Sequence, residues 1–152
     1  MKTILVKRIL PLFFLFTACS DEVIYQKEYV FPDHVWKIGM NPLFEFEIKN
    51  SQKQHKAILT FRTTTDFKYK KIYFFTTIIT PQKEQIRTLN TFAIIDENDS
   101  WNGIKTGSLV EFKKEVDINF NQKGFYKLQV EPAVTASIID EIIDIGLTVS
   151  PI

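Results

Sequence analysis

A second cysteine is missing from this 152-residue chain: Cys19 stands alone, so no disulfide can close within it. Histidine is almost absent. His34 and His55 are the only two, and neither has a Cys or another His at ligand spacing, which argues against a zinc site. No apolar run reaches the roughly 20 residues that a membrane-spanning helix needs. There is no basic excess either. The formal charge of +1 includes Lys2, Lys7 and Arg8; without those three, 16 Lys and Arg face 18 Asp and Glu, a net of −2. A nucleic-acid binder normally concentrates positive charge on one face, so that class is excluded as a partner. Glycine (five) and methionine (two) are scarce, whereas phenylalanine is abundant at 14. Abundant aromatics with few flexible fillers describe a rigid core held by packing alone.

The position of Cys19 carries information. Upstream lie a basic segment, MKTILVKR, a short apolar stretch from Ile9 to Phe16 broken by Pro11, and the small residues Thr17 and Ala18. This is the layout of a secretory signal peptide. With Cys19 directly after the cleavage point, the segment resembles a bacterial lipobox, although Phe16 stands where Leu is usual and Leu15 sits one further back. The expectation is a signal peptide over 1–18, then an acylated Cys19 with a polar tether to residue 26. The alternative is an ordinary secreted protein with a chance Cys at its mature start. Acyl chains would hold the protein on a bilayer, since each buried CH₂ contributes about 0.8 kcal/mol and one chain alone is marginal.

Beyond the tether the hydrophobic pattern has a period of two. Residues 43–49, LFEFEIK, send Phe44, Phe46 and Ile48 to one face and Glu45, Glu47 and Lys49 to the other, as in a half-buried strand. Residues 56–63 set Ala57, Leu59 and Phe61 on one face. Residues 71–79 are apolar on both faces, which suits a central strand ended by Pro81. Further strands are predicted over 86–95, 109–118, 124–132 and 143–149. In the last two, Tyr126, Leu128 and Val130, then Ile145, Leu147 and Val149, share a face. Residues 136–143, ASIIDEII, fit a short helix or an extended segment. The fold class is all-β: one antiparallel β-sandwich over 27–152, jelly-roll or Ig-like, of about seven or eight strands.

Candidate chemical sites fail on spacing. Asp96, Asn98 and Ser100 mimic a calcium loop, but Trp101 and Gly107 occupy the places that require Gly and Glu. The TGSLV segment lacks the glycines of a nucleophile elbow. Glu45 and Glu47 would lie about 7 Å apart on one strand face and read as a solvated surface. The sequence therefore predicts no catalytic residue, no metal site and no cofactor.

An ordered set of segments resembles the GldH family of gliding-motility lipoproteins from the Bacteroidetes. These are YQKEYVFPDHVWK, FEFEIKNS, LTFRTTTDFKYKKIYFF, DSWNGIKTGSLVEF, FNQKGFYKLQVEPAV and IIDIGLTV. The most specific pieces are Trp36, the Trp101/Gly103/Gly107 spacing, and Asp144-Ile145-Gly146. The resemblance implies a non-catalytic outer-membrane lipoprotein that works with protein partners of the gliding and type IX secretion machinery, with the membrane engaged through the lipid. It carries over no binding residue, so Trp101, Gly103 and Gly107 are motif positions without an assigned role. Ser20, Asp21 and Glu22 resemble the acidic signal that sends some lipoproteins of that phylum to the cell surface. The periplasmic leaflet is placed ahead of the surface, the triplet otherwise being a hydrophilic tether. The competing functional class is a surface glycan-binding module, which needs a flat row of aromatics on an exposed sheet face.

Overall fold

A computed structural model describes residues 22–152; the expected signal peptide lies outside them. Eleven strands follow in chain order: β1 (Tyr25–Val30), β2 (Val35–Lys37), β3 (Leu43–Ile48), β4 (His55–Thr64), β5 (Lys71–Ile79), β6 (Gln85–Ala93), β7 (Ile104–Thr106), β8 (Leu109–Val116), β9 (Gly124–Pro132), β10 (Ile138–Asp140) and β11 (Ile142–Pro151). All pairings are antiparallel. One sheet has the order β1-β11-β4-β8-β7, a second β3-β9-β5-β6, and β10 pairs with β2 in a small ribbon.

The two larger sheets share one core because their long inner-facing strands bury alternate residues. In β3 the buried residues are Phe44, Phe46 and Ile48, in β4 Ala57, Leu59 and Phe61, in β9 Tyr126, Leu128 and Val130. Aromatic contacts join the sheets along their length. Tyr25 meets Phe46 at 5.4 Å between centroids, Phe61 meets Phe74 at 4.9 Å, and Phe92 meets Phe112 at 5.6 Å. Such tilted and edge-on pairs add about 0.5–1.5 kcal/mol each beyond the area they bury.

The ends of the molecule differ. At one end lie the start of β1, the turn between β3 and β4, the β8–β9 loop and the last residues of β11. His55 at this end sits edge-on to Phe120 at 5.9 Å. The other end is covered by the chain from Phe31 to Met40 and by the β2/β10 ribbon. There Phe31 stacks on Trp36 at 5.5 Å, and the buried indole donates from Nε1 to the Met40 carbonyl at 2.7 Å, so its one polar atom is satisfied.

Several sequence expectations change. Eleven strands replace seven or eight, because β1, β2, β7 and β10 were not foreseen. The tether ends before Gln26, since Tyr25 and Gln26 already pair with Val149 and Thr148. Residues 136–143 are extended rather than helical: β10 and β11 meet at Glu141, whose φ of 67° breaks any helix. Finally, β5 is an internal strand as expected, but its second face is not core. Tyr73 on that face is 41% exposed.

Two substitutions check this arrangement in urea unfolding. Phe61→Ala, at a position 1% exposed, is expected to cost about 3–5 kcal/mol, from lost transfer energy and the cavity left behind. Glu47→Lys on the exposed face of β3 should stay within about 0.5 kcal/mol of wild type.

Candidate functional site

Three regions carry the polar side chains that function could use. The first is the end where the described chain begins. Backbone pairing starts at Ile24, whose N–H donates to the Val149 carbonyl at 2.9 Å. Cys19, Ser20 and Asp21 lie outside the described residues. Glu22 is exposed and sits 3.7 Å from the Lys53 ammonium, a pair too solvated to add much stability. Val23 and Ile24, where the described chain enters the domain, lie beside Lys53, His55 and Pro151.

The second region is the opposite end, where Asp33, Asp66, Asp140 and Glu141 line an open cleft with Lys68 and Tyr69. Glu141 is tied into the fold: its backbone carbonyl accepts from Thr64 N–H at 3.0 Å, and its carboxylate accepts from the Thr64 hydroxyl. Among the described residues no three His, Cys, Asp or Glu converge as metal ligands. His34 lies at this end and His55 at the other, so they form no joint site. The 96–103 loop is an Asx turn. One Asp96 carboxylate oxygen accepts from the N–H groups of Asn98 (2.8 Å) and Ser100 (2.9 Å). A calcium ion would have to compete with those bonds. Asp99 accepts a hydrogen bond from Lys70, which holds its carboxyl below the usual carboxylate range.

The third region comprises the outer sheet faces. On the five-stranded sheet, Arg62 of β4 bridges two neighbours. Its Nε donates to Asp144 at 2.9 Å, and a terminal nitrogen lies 2.8 Å from Asp144 and 2.7 Å from Glu28. The Asp144 side chain is 3% exposed. Burial pushes its carboxyl above the ordinary range, and the Arg62 hydrogen bond pulls it partly back. The bond to Asp144 in turn holds Arg62 firmly protonated. On the four-stranded sheet, Tyr73, Phe75 and Leu89 form a short apolar stripe. Arg87 lies over the Phe75 ring at 3.8 Å and pairs with Glu131 at 2.6 Å. Arg87 thus covers one face of Phe75, while Tyr73 stays exposed beside it. Glu45, the other candidate carboxylate, pairs with Lys127.

The motif residues have structural roles. A Cβ on Gly103 would sit 2.4 Å from the Glu111 carbonyl oxygen and 2.6 Å from Phe112 Cδ1, so only glycine fits under β8. Gly107 turns the chain between β7 and β8 at φ 61°, a conformation that suits glycine. Trp101 packs 6.3 Å from Phe112 and shields that part of the core. Asp144 is the buried anion of the Arg62 bridge. The sequence signal for that role, an acid inside an apolar run, was present but pointed to no partner.

With this geometry in place, similarity to known proteins is informative. A family model described as GldH lipoprotein matches residues 23–149. A protein of Christiangramia forsetii, described as a gliding motility lipoprotein GldH homolog, is 28% identical over 123 residues, covering 79% of this chain and 74% of that one. Among solved structures, the infectious bursal disease virus VP2 subviral particle matches over 96% of this chain and 37% of that longer chain, at 16% identity and a TM-score of 0.33.

The Arg62 bridge yields a pH-dependent prediction. Arg62→Met leaves the Asp144 carboxylate buried without its cation, which raises its folded-state pKa further. A raised carboxyl contributes stability below its unfolded value, about 3.9, and loses it as pH climbs through the folded value. The variant should therefore lose about 2–3 kcal/mol at pH 7, less than a fully buried pair because Arg62 is 27% exposed. Its deficit should shrink toward pH 4. Urea unfolding at both pH values decides it: a deficit of equal size at each would show that the charge on Asp144 is not what Arg62 supports.

Proposed function

The chain belongs to the GldH lipoprotein family, and from that membership we propose that it serves gliding motility as a non-catalytic, acyl-anchored outer-membrane component that docks to other proteins of the gliding and type IX secretion machinery. The observation that carries this reading is the extent of the family match, residues 23–149, which takes in β1 to β10 whole and β11 as far as Val149. In this reading residues 1–18 are removed as a signal peptide, and Cys19 bears the acyl chains. Residues 20–23 form the tether, and the β-sandwich stands with its His55 end toward the bilayer. The short tether supports that orientation. Five residues from Cys19 to Ile24 reach at most about 18 Å, so the acidic end faces away from the membrane.

The periplasmic leaflet is proposed over the cell surface. Glu22 has a structural neighbour in Lys53, which supports a tether role for part of the acidic triplet Ser20, Asp21 and Glu22. Protease treatment of intact cells should accordingly leave the protein uncut; digestion would move it to the surface.

Anchoring and the absence of chemistry are tested together in a deletion strain, whose gliding and secretion of type IX cargo should fail. Cys19→Ser should take up no labelled fatty acid, leave the membrane fraction and restore neither activity, because the acyl chains supply the membrane affinity. Alanine at His34, His55, Asp96 or Asp99 should restore gliding as well as wild type does. Loss of gliding in one of these, in a protein folded and anchored normally, would reveal a chemical site.

A further inference from the structure

Among the described residues the two larger sheets have four edges, and three are guarded against further pairing. β1 carries Lys27 and Glu28, β3 carries Glu45 and Glu47, and β7 is three residues long and includes Lys105. Charges and short length are the usual protections of a free edge. β6 has neither. Its nine residues, QIRTLNTFA, hold no Lys and no Pro. It pairs with β5 residue for residue from Ile79↔Gln85 to Lys71↔Ala93, without a bulge. The Arg87 guanidinium pairs with Glu131 and lies over the Phe75 ring, on the sheet face rather than along the open edge.

The hydrogen-bond phase defines what this edge offers. Thr80 N–H donates to Glu84 O and Ile94 N–H to Lys70 O, both at 2.9 Å. Antiparallel alternation then turns Ile86, Thr88, Asn90 and Phe92 toward β5. Gln85, Arg87, Leu89 and Thr91 direct their N–H and C=O groups outward. The run stops at Ala93, whose carbonyl accepts from the Asn102 side chain at 3.1 Å. Apolar side chains flank it on both faces: Ile86 is 47% exposed on the core side, Leu89 56% on the outer side.

We propose that the free edge of β6, from Gln85 to Thr91, takes an extended segment of a different protein as an added strand, with uncharged, alternately apolar side chains beside Ile86 and Leu89. Main-chain hydrogen bonds would supply affinity and the two apolar flanks the register. The choice of occupant rests on the anchored reading above. Residues 20–23, which must reach the bilayer, cannot also line an edge on the far side of the sandwich from β1. A second copy in the same leaflet is excluded from antiparallel pairing. β6 runs from the anchor end toward the acidic end, so the antiparallel copy would carry its acyl chains away from the bilayer.

The test uses the full acylated protein. Leu89→Pro removes an outward donor and no bond to β5, as edge prolines do; Leu89→Lys adds a guarding charge. Both should melt like wild type and remain in the membrane fraction, which separates this test from the Cys19→Ser outcome, yet both should fail to restore gliding. Residue-resolved hydrogen exchange should show the Arg87, Leu89 and Thr91 amides at least about tenfold slower in native outer membranes than in purified, detergent-solubilised protein, as pairing would protect them. Leu89→Pro should lose that protection at Arg87 and Thr91. Equal exchange in both preparations, or full gliding by folded and anchored Leu89 variants, would overturn the proposal. Protection that appears equally in concentrated purified protein would overturn it in favour of a second copy.

Discussion

Two sheet faces must stay together here without a disulfide, and the aromatic seam between them does that work. Phe61 against Phe74, Tyr25 against Phe46 and Phe92 against Phe112 each place one ring from either sheet against the other across the core. Close packing at this density leaves little room for adjustment. It explains why Gly103 admits no side chain where it passes Phe112. Trp36 and Phe31 then close the end that the strands leave open. Among the described residues three buried polar atoms, His55 Nδ1, Thr63 Oγ1 and Gln122 Oε1, have no hydrogen-bond partner, a cost that the surrounding packing has to offset.

The long strands were legible because one face of each is buried and the alternation survives in the residues. β3, β4, β9 and β11 show their inward sets directly. The strands that escaped notice lack that signal for identifiable reasons. β1 is an edge strand exposed along nearly its whole length, so its residues do not alternate. β2, β7 and β10 have three residues each, too few for any period. In 136–143 the isoleucines fit both a helix and a strand, and the left-handed Glu141 that decides between them has no signature in its residue type. Tyr73, Phe75 and Ile79 suggested a strand buried twice. The outer face of β5 instead carries a stripe covered only in part, by Arg87.

The polar features were less legible because the fold assembles them from distant positions. Asp33, Asp66 and Asp140 are spread across the chain, yet they share the end opposite His55. Arg62 and Asp144 are 82 residues apart, joined only because β11 lies beside β4. Trp101, Gly103 and Gly107 stood out as a spacing, and their meaning is mechanical. They seat β7 and the preceding loop against Phe112 and turn the chain into β8.

An open edge such as Gln85 to Thr91 is a hazard for any protein held at high local concentration on a bilayer, where confinement greatly raises encounter rates. Guarding charges are the common remedy, and this chain applies them at β1 and β3. At β6 the proposed lipid anchor offers another. If every copy stands the same way up, two β6 edges meet with their strands running in the same direction, and the antiparallel geometry that most readily joins identical edges is denied. A partner's extended segment has no such constraint and can enter in either direction. Attachment at one end, as proposed, would have two consequences at once: it would fix which end faces the membrane, and it would leave one sheet edge open to other proteins while limiting its pairing with copies of itself.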